Sequence, residues 1–417
     1  MTAQDWVLFL LVVALYAAFA GWLGRFSVTM PMVLVPAGAL LGPDVLGFLD
    51  IPTSATGVEV IAEMTLSLLL FADAGALDLR QLRHHAGLAG RLLLIGLPLT
   101  VVLGALTAFT VFPGEGLAFA FLIAAILAPS DAALVMPVFG KSRVPVRIQR
   151  ALRIESGFND GLAAPLVTLF AALTLEEHLA RQNGWLRDGL SHMALAVLVG
   201  AVGGAIGGWL FAAAVKRGWT TRTTERLGNL ALALAIFWAT VGLHGNVLVA
   251  GFVGGLAFAT VSRGQLHGAT EFTEEAGSVL STFVWIVFGA NLVVPLLRAA
   301  DARAVVFAII ALTLVRMVPV AISMIGSGLR TDTVLVMGWL GPRGLPSVIL
   351  MLVAFEALHE AEHEANTMVT MVGWAITLSL LFHALTGELV TRWYARRLET
   401  AAPGAPELMP GLELSTD

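Results

Sequence analysis

The 417-residue chain contains no cysteine, which excludes disulfide bonds and cysteine-ligated metal sites. Charged residues are also scarce: they make up 13% of the chain, against about 25% in average soluble domains. Hydrophobic residues make up 58%, and the mean hydropathy is +0.86. These values predict an all-α polytopic membrane protein that is surrounded by a lipid bilayer. We expect no nucleic-acid partner.

About thirteen apolar segments are long enough to cross a bilayer as helices, which takes about 17–25 residues. The eighth and ninth are short, and only Gly242-Leu-His-Gly245 separates them. The predicted spans lie at 6–24, 29–48, 58–77, 91–113, 116–138, 150–174, 189–214, 227–243, 246–262, 275–297, 304–325, 333–355 and 366–391.

Lysine and arginine are distributed unequally between the two sides of these spans, which indicates orientation. Of the 24 such residues, seventeen fall on one side: Arg25, Arg80, Arg83, Arg91, Lys141, Arg143, Arg147, Arg150, Lys216, Arg217, Arg222, Arg226, Arg263, Arg330, Arg392, Arg396 and Arg397. Four fall on the other side: Arg181, Arg187, Arg298 and Arg303. We therefore expect the amino terminus outside and the carboxyl terminus in the cytoplasm. Residues 399–417 are predicted to form a short disordered cytoplasmic tail.

Four charged residues from four predicted spans reach a similar depth, namely Asp131, Asp160, Arg316 and Arg343. At 1.5 Å per helical residue, each lies about 12–16 Å from the cytoplasmic face of a core about 30 Å thick. A charge at this depth is costly, so such residues indicate a functional site.

Two of these spans are interrupted by proline and glycine. The fifth contains Ala128-Pro129-Ser130-Asp131, and the twelfth contains Gly341-Pro342-Arg343-Gly344. Proline removes a helical hydrogen bond, and the freed backbone is tolerated only where protein or water satisfies it. Interrupted spans at corresponding positions of two halves are typical of transporters. We predict that spans one to six and eight to thirteen form inverted repeats with two broken crossing helices.

Helical geometry divides the sixth span into two polar faces. Ser156 and Asp160 are four residues apart and share one face, which could offer oxygen atoms to a cation. Glu155 and Asn159 share another face about 100° away. Because an unpaired buried charge is costly, we expect Glu155 to pair with an arginine, for which Arg316 is the best candidate.

The motif Glu155-Ser156-x-x-Asn159-Asp160 resembles a signature of the monovalent cation:proton antiporters of the NhaP and Na+/H+ exchanger branch. Ser130-Asp131 resembles the family's Thr-Asp pair in the broken fifth helix. The segment 70–77 resembles its third-span motif, and Gly341-Pro342-Arg343-Gly344 resembles its G-L-R-G motif, with proline in place of leucine. The resemblance covers nearly all of the predicted membrane domain, residues 1–398.

The resemblance implies a secondary antiporter of the cell membrane, not an enzyme, that works without a cofactor as a homodimer. It implies that Asp160 binds the cation and the proton in competition. Asp131, Ser130 and Ser156 would complete or neighbour this site, and Asn159 would make exchange electroneutral. Glu155 and Arg316 would form a structural ion pair. The family's third-span carboxylate falls near Asp73, which could equally be a solvated residue of the entry funnel.

Three alternatives are weighed against Na+/H+ exchange. A K+/H+ antiporter uses the same residue types, so these residues do not separate the two cations. The segment His359-Glu360-Ala-Glu362-His363 matches the pattern of zinc metalloproteases, but it lies in a predicted outside loop. A receptor or scaffold would not need carboxylates beside two interrupted helices.

Overall fold

Helices fill the part of the chain that the computed structural model describes, which is residues 3–49, 51, 56–77, 87–135, 144–179, 185–262, 266, 268–358, 361–399 and 407. No strand occurs among these residues. The α-helices are α1 Ala3–Gly24, α2 Met30–Leu41, α3 Thr56–Gly75, α4 Leu97–Val111, α5 Leu117–Leu127, α6 Val146–Leu179, α7 Trp185–Lys216, α8 Arg222–Gly242, α9 Val247–Ser262, α10 Glu271–Phe288, α11 Val294–Ala299, α12 Ala302–Leu312, α13 Leu314–Ser323, α14 Thr331–Trp339, α15 Leu345–Ala357 and α16 Glu362–Leu398.

Each predicted span coincides with one helix or with a pair of consecutive helices. A π-helical turn, Leu92–Gly96, runs into α4, and a second one, Gly289–Val293, joins α10 to α11. Among the described residues, seven continuous helical stretches are long and apolar enough to cross a membrane. The all-α membrane fold is confirmed, whereas the count of thirteen crossings stays a prediction.

Both predicted interruptions are present, at the predicted positions. Helix α5 ends at Leu127, the backbone is not helical over 128–131, and one 3-10 turn follows at Ala132–Leu134. Helix α14 ends at Trp339, and α15 begins at Leu345 after a non-helical stretch, 340–344. We call these two non-helical stretches, 128–131 and 340–344, the crossing.

A row of small residues explains the close packing of α7 on α9. Gly200 and Gly204 lie so near α9 that a β-carbon at either position would collide with the carbonyl oxygen of Ala250 or Gly254. Small residues at a spacing of four are the usual means by which membrane helices approach closely. This contact lies away from the crossing and has a packing role.

The predicted tail is described at Glu399 and Glu407 only. The Glu407 side chain is buried, and its carboxylate accepts hydrogen bonds from the Arg330 N–H at 2.7 Å and the Thr333 hydroxyl at 3.0 Å. This contact joins one residue of the tail to the start of α14, and the disorder of residues 399–417 stays a prediction.

Candidate functional site

The two interruptions meet directly inside the protein. The Asp131 N–H donates a hydrogen bond of 2.8 Å to the carbonyl oxygen of Pro342. Each interruption therefore supplies a hydrogen-bond partner for a backbone group of the other. Backbone groups that are buried away from water require such partners.

Charged side chains close the helix ends at the crossing. Arg343 donates from one guanidinium nitrogen to the carbonyl oxygens of Ala128 and Pro129, both at 2.9 Å, at the carboxyl end of α5. The Asp131 carboxylate accepts from the Leu345 N–H at 3.1 Å, at the amino end of α15. A cation at a helix carboxyl end and an anion at an amino end both complement the helix dipole. The two residues thus stabilise each other's interrupted helix.

Gly344 makes this arrangement possible. A β-carbon at this position would collide with the carboxylate of Asp131. The other oxygen of Asp131 accepts from the Ala133 N–H at 3.0 Å, so both of its oxygens are bound to backbone donors. Asp131 is therefore engaged in holding the crossing in shape.

Polar groups of α6 contact the same interruption from the side. The Ser156 hydroxyl donates to the carbonyl oxygen of Ser130 at 2.6 Å and accepts from the Ala132 N–H at 3.0 Å. The Asn159 amide donates to the Ser130 hydroxyl at 2.9 Å. The structure therefore brings together four of the predicted residues, Ser130, Asp131, Ser156 and Asn159.

Asp160 lies on α6 next to this network and is 7% exposed. Its Oδ1 atom is buried and has no hydrogen-bond partner among the described residues, and the same holds for Oδ1 of Asn159. The charges of Asp131, Asp73 and Glu155 all act on Asp160. Buried oxygens without partners are costly, and a hard cation or a proton on the carboxylate would satisfy them.

Asp73 approaches the same helix from α3. A β-carbon at Gly157 would lie 3.6 Å from the β-carbon of Asp73, so the absence of a side chain at Gly157 leaves room for this aspartate. Gly157 is one helical turn before Asp160. Asp73 is partly buried, and the charges of Glu274 and Arg153 act on it. This position is compatible both with a site residue and with a residue of the path that leads to the site.

Glu155 of α6 binds Arg316 of α13. The guanidinium group donates to both carboxylate oxygens, at 2.5 and 2.9 Å, and both side chains are buried. Arg316 also lies against the second interruption, because a β-carbon at Gly341 would collide with its guanidinium group. The pair therefore connects α6 and α13 to the crossing.

Sequence reasoning missed two polar residues of α16. The Ser379 hydroxyl accepts a hydrogen bond of 2.7 Å from the Arg343 N–H, and a ring nitrogen of His383 lies 2.8 Å from the carbonyl oxygen of Trp339. Ser379 and His383 are four residues apart and therefore share one helix face, and this spacing is the sequence feature that could have identified them. Both hold the second interruption against α16.

The candidate zinc motif receives no support from the part of it that is described. His359 and Glu360 lie outside the described residues. The His363 side chain is 78% exposed, and its Nε2 atom lies 3.2 Å from a carboxylate oxygen of Glu115. Within the described residues, no group of three or more His, Cys, Asp or Glu side chains is placed to hold a metal ion.

Comparison with known proteins places these features in a family. The model of the family described as "Sodium/hydrogen exchanger, transmembrane" matches residues 9–393. The uncharacterized Na+/H+ exchanger YjcE of Escherichia coli is 31% identical over 173 residues, which is 40% of this chain and 30% of that protein. The Na+/H+ antiporter ApNhaP of Aphanothece halophytica is 26% identical over 356 residues, which is 82% of this chain and 65% of that protein.

A further relative, the K+/H+ antiporter NhaP of Alkalimonas amylolytica, is 23% identical over 386 residues, or 92% of this chain and 65% of that protein. The chain therefore spans less than two thirds of the length of each of these three relatives. Among solved structures, the sodium proton antiporter MjNhaP1 of Methanocaldococcus jannaschii at pH 8 aligns with a TM-score of 0.72 and 19% identity. That alignment covers 93% of this chain and 97% of the other, and it shows a common fold.

Proposed function

We propose that this chain, which belongs to the sodium/hydrogen exchanger transmembrane family, exchanges a monovalent cation for a proton across the cell membrane. The observation that carries the proposal is the buried Asp160 carboxylate beside the crossing of two interrupted helices, with one oxygen that has no hydrogen-bond partner among the described residues. The family consists of transporters, not enzymes. The proposed exchange needs no cofactor, and the cation is substrate.

In the proposed mechanism, a cation and a proton compete for Asp160. Ser130, Ser156 and Asn159, which hydrogen-bond around the first interruption, would contribute oxygen atoms, while Asp131 holds the crossing and adds negative charge. Either ligand neutralises the carboxylate, so that the loaded site can move past a hydrophobic barrier. The bare carboxylate crosses poorly, because an uncompensated charge in an apolar path is costly. This difference would couple the two fluxes.

Na+ is the cation we propose first, with Li+ or K+ as alternatives. The names of the relatives include both a Na+/H+ and a K+/H+ antiporter, and the oxygen ligands on α6 suit any of these hard cations. The chain would be oriented with its amino terminus outside and its carboxyl terminus in the cytoplasm. A homodimer is proposed from the family resemblance.

We expect exchange to be electroneutral, because Asn159 stands beside Asp160 where a second carboxylate would otherwise add a charge. The purified protein in liposomes should convert a Na+ gradient into a pH change, read by a pH-sensitive dye. An imposed membrane potential of about 100 mV should leave the final pH difference unchanged. If one net charge moved per cycle, the same potential would shift the exchange equilibrium about 50-fold.

Empty liposomes and liposomes with Li+ or K+ gradients serve as controls in the same assay. If none of the Na+, Li+ or K+ gradients produces a pH change, the proposed function is contradicted. A pH change that follows the imposed potential would contradict only the electroneutral stoichiometry.

A further inference from the structure

His383 lies on α16 and is 6% exposed, with acceptors against both of its ring nitrogens. Nδ1 lies 2.8 Å from the carbonyl oxygen of Ser379, and Nε2 lies 2.8 Å from the carbonyl oxygen of Trp339. The ring also stacks on the Trp339 indole, with centroids 5.7 Å apart and planes 28° from parallel. The position of the ring is therefore fixed by packing as well as by hydrogen bonds.

A carbonyl oxygen only accepts hydrogen bonds, and a neutral imidazole has only one N–H to donate. Both 2.8 Å contacts are hydrogen bonds at the same time only when the ring carries two protons. In the neutral ring, one nitrogen lone pair faces a carbonyl lone pair. The Ser379 hydroxyl also lies near Nδ1, but at the long distance of 3.5 Å.

The carbonyl groups of Ser379 and Trp339 differ in their positions within their helices. Ser379 lies within the continuous helix α16, whereas Trp339 is the last residue of α14 and begins the second interruption. The carbonyls of a last helical turn need partners from outside the helix. Among the described residues, Arg343 contacts the carboxyl end of α5, Asp131 the amino end of α15 and Ser156 the start of the 3-10 turn. His383 contacts the carboxyl end of α14.

We propose that His383 is a positioning residue whose second proton secures the carboxyl end of α14, so that loss of this proton loosens the crossing. The protonated ring, held by both carbonyls, complements the negative end of the α14 dipole. The neutral ring loses one attraction and gains a repulsion. The crossing would thus be more rigid at acidic than at basic pH, independently of the proton on Asp160.

Charged groups on the neighbouring elements set the balance between the two forms. Burial of the His383 ring is the largest effect against a second proton, and the positive charges of Arg343 in the second interruption and of Arg316 in α13 add to it. Arg316 is neutralised by Glu155 of α6, and the backbone of Arg343 is held by Ser379. Two carbonyl acceptors and a helix carboxyl end favour the charged ring. Opposed effects of this kind are what a proton-dependent contact requires.

Hydrogen–deuterium exchange of the protein in lipid nanodiscs would measure the crossing itself, so the test does not depend on which ion the chain moves. After correction for the intrinsic pH dependence, amides within 338–345 should lose about fivefold protection between pH 4.5 and pH 8, as expected for one lost hydrogen bond. His383→Gln should abolish this pH dependence. Asp160→Asn, the matched control, should preserve it.

A loss of protection that persists in His383→Gln, or that disappears in Asp160→Asn, would overturn the proposal, as would constant protection in the wild type. If His383→Gln does not fold, His383→Asn provides a shorter amide. If neither His383 variant folds, the measurements on the wild type and on Asp160→Asn still decide the question. The pH dependence of the exchange rate at saturating cation gives a second readout. Competition at Asp160 changes the apparent KM, whereas protonation of His383 should change kcat.

Discussion

Replacing Asp160 by asparagine should reduce cation-driven proton movement to the level of empty liposomes. Asparagine has nearly the same volume, but it cannot take up a proton or neutralise a cation, so neither substrate can load the site. The carboxylate of Asp160 has an oxygen without a partner among the described residues, so its removal breaks no observed contact of that atom. The variant should therefore still fold and insert.

The assay for this prediction is the dye measurement in proteoliposomes at matched protein content. Asp160→Glu provides the control variant, because it keeps a carboxylate and should retain some exchange. Asp131→Asn is the informative comparison, because it removes a charge from the crossing. In the wild type, both carboxylate oxygens of Asp131 accept hydrogen bonds from backbone N–H groups. Full exchange by the Asp160→Asn protein would refute the assignment of the ion site.

Breaking the Glu155–Arg316 pair should produce the largest loss of stability. The substitution Glu155→Gln leaves the buried Arg316 guanidinium without its countercharge, and removal of one partner of a buried pair typically costs about 3–5 kcal/mol. The pair makes two hydrogen bonds and connects α6 to α13 beside the crossing. We expect a markedly lower midpoint of thermal aggregation in detergent, measured by size-exclusion chromatography after heating.

The double variant Glu155→Leu with Arg316→Met tests whether the loss comes from the unpaired charge. Because both charges are removed together, the double variant should be more stable than the single variants Glu155→Leu and Arg316→Met, and a double-mutant cycle of these proteins would quantify the coupling energy. If the double variant is as unstable as the sum of the single changes, the pair has no coupling energy and the structural role is wrong.

The crossing was accessible from sequence because its chemistry is local. Proline and glycine inside apolar segments interrupt a helix wherever the helix lies, and the charges next to them need partners. These two facts predicted the interruptions at 128–131 and 341–344, and the structure confirms them. Helical spacing likewise placed Glu155 and Asp160 on different faces of α6, where the structure has Glu155 bound to Arg316.

The contacts between elements were not accessible in the same way. The bond from the Leu345 N–H to Asp131 and the bonds from Arg343 to α5 depend on how two helix ends meet in space. His383 was missed because a single histidine in a long apolar helix carries no pattern beyond its spacing from Ser379. Sequence could thus locate the charges at the crossing but could not assign all of their partners.

Competition between cation and proton for one carboxylate is the central claim, and the apparent KM for the cation as a function of pH tests it most directly. The measurement uses initial rates of exchange in proteoliposomes with equal pH on both sides. Where the proton occupies Asp160 most of the time, each decrease of one pH unit should raise the apparent KM about tenfold while kcat changes far less. An apparent KM that stays constant across the acidic range would contradict the account.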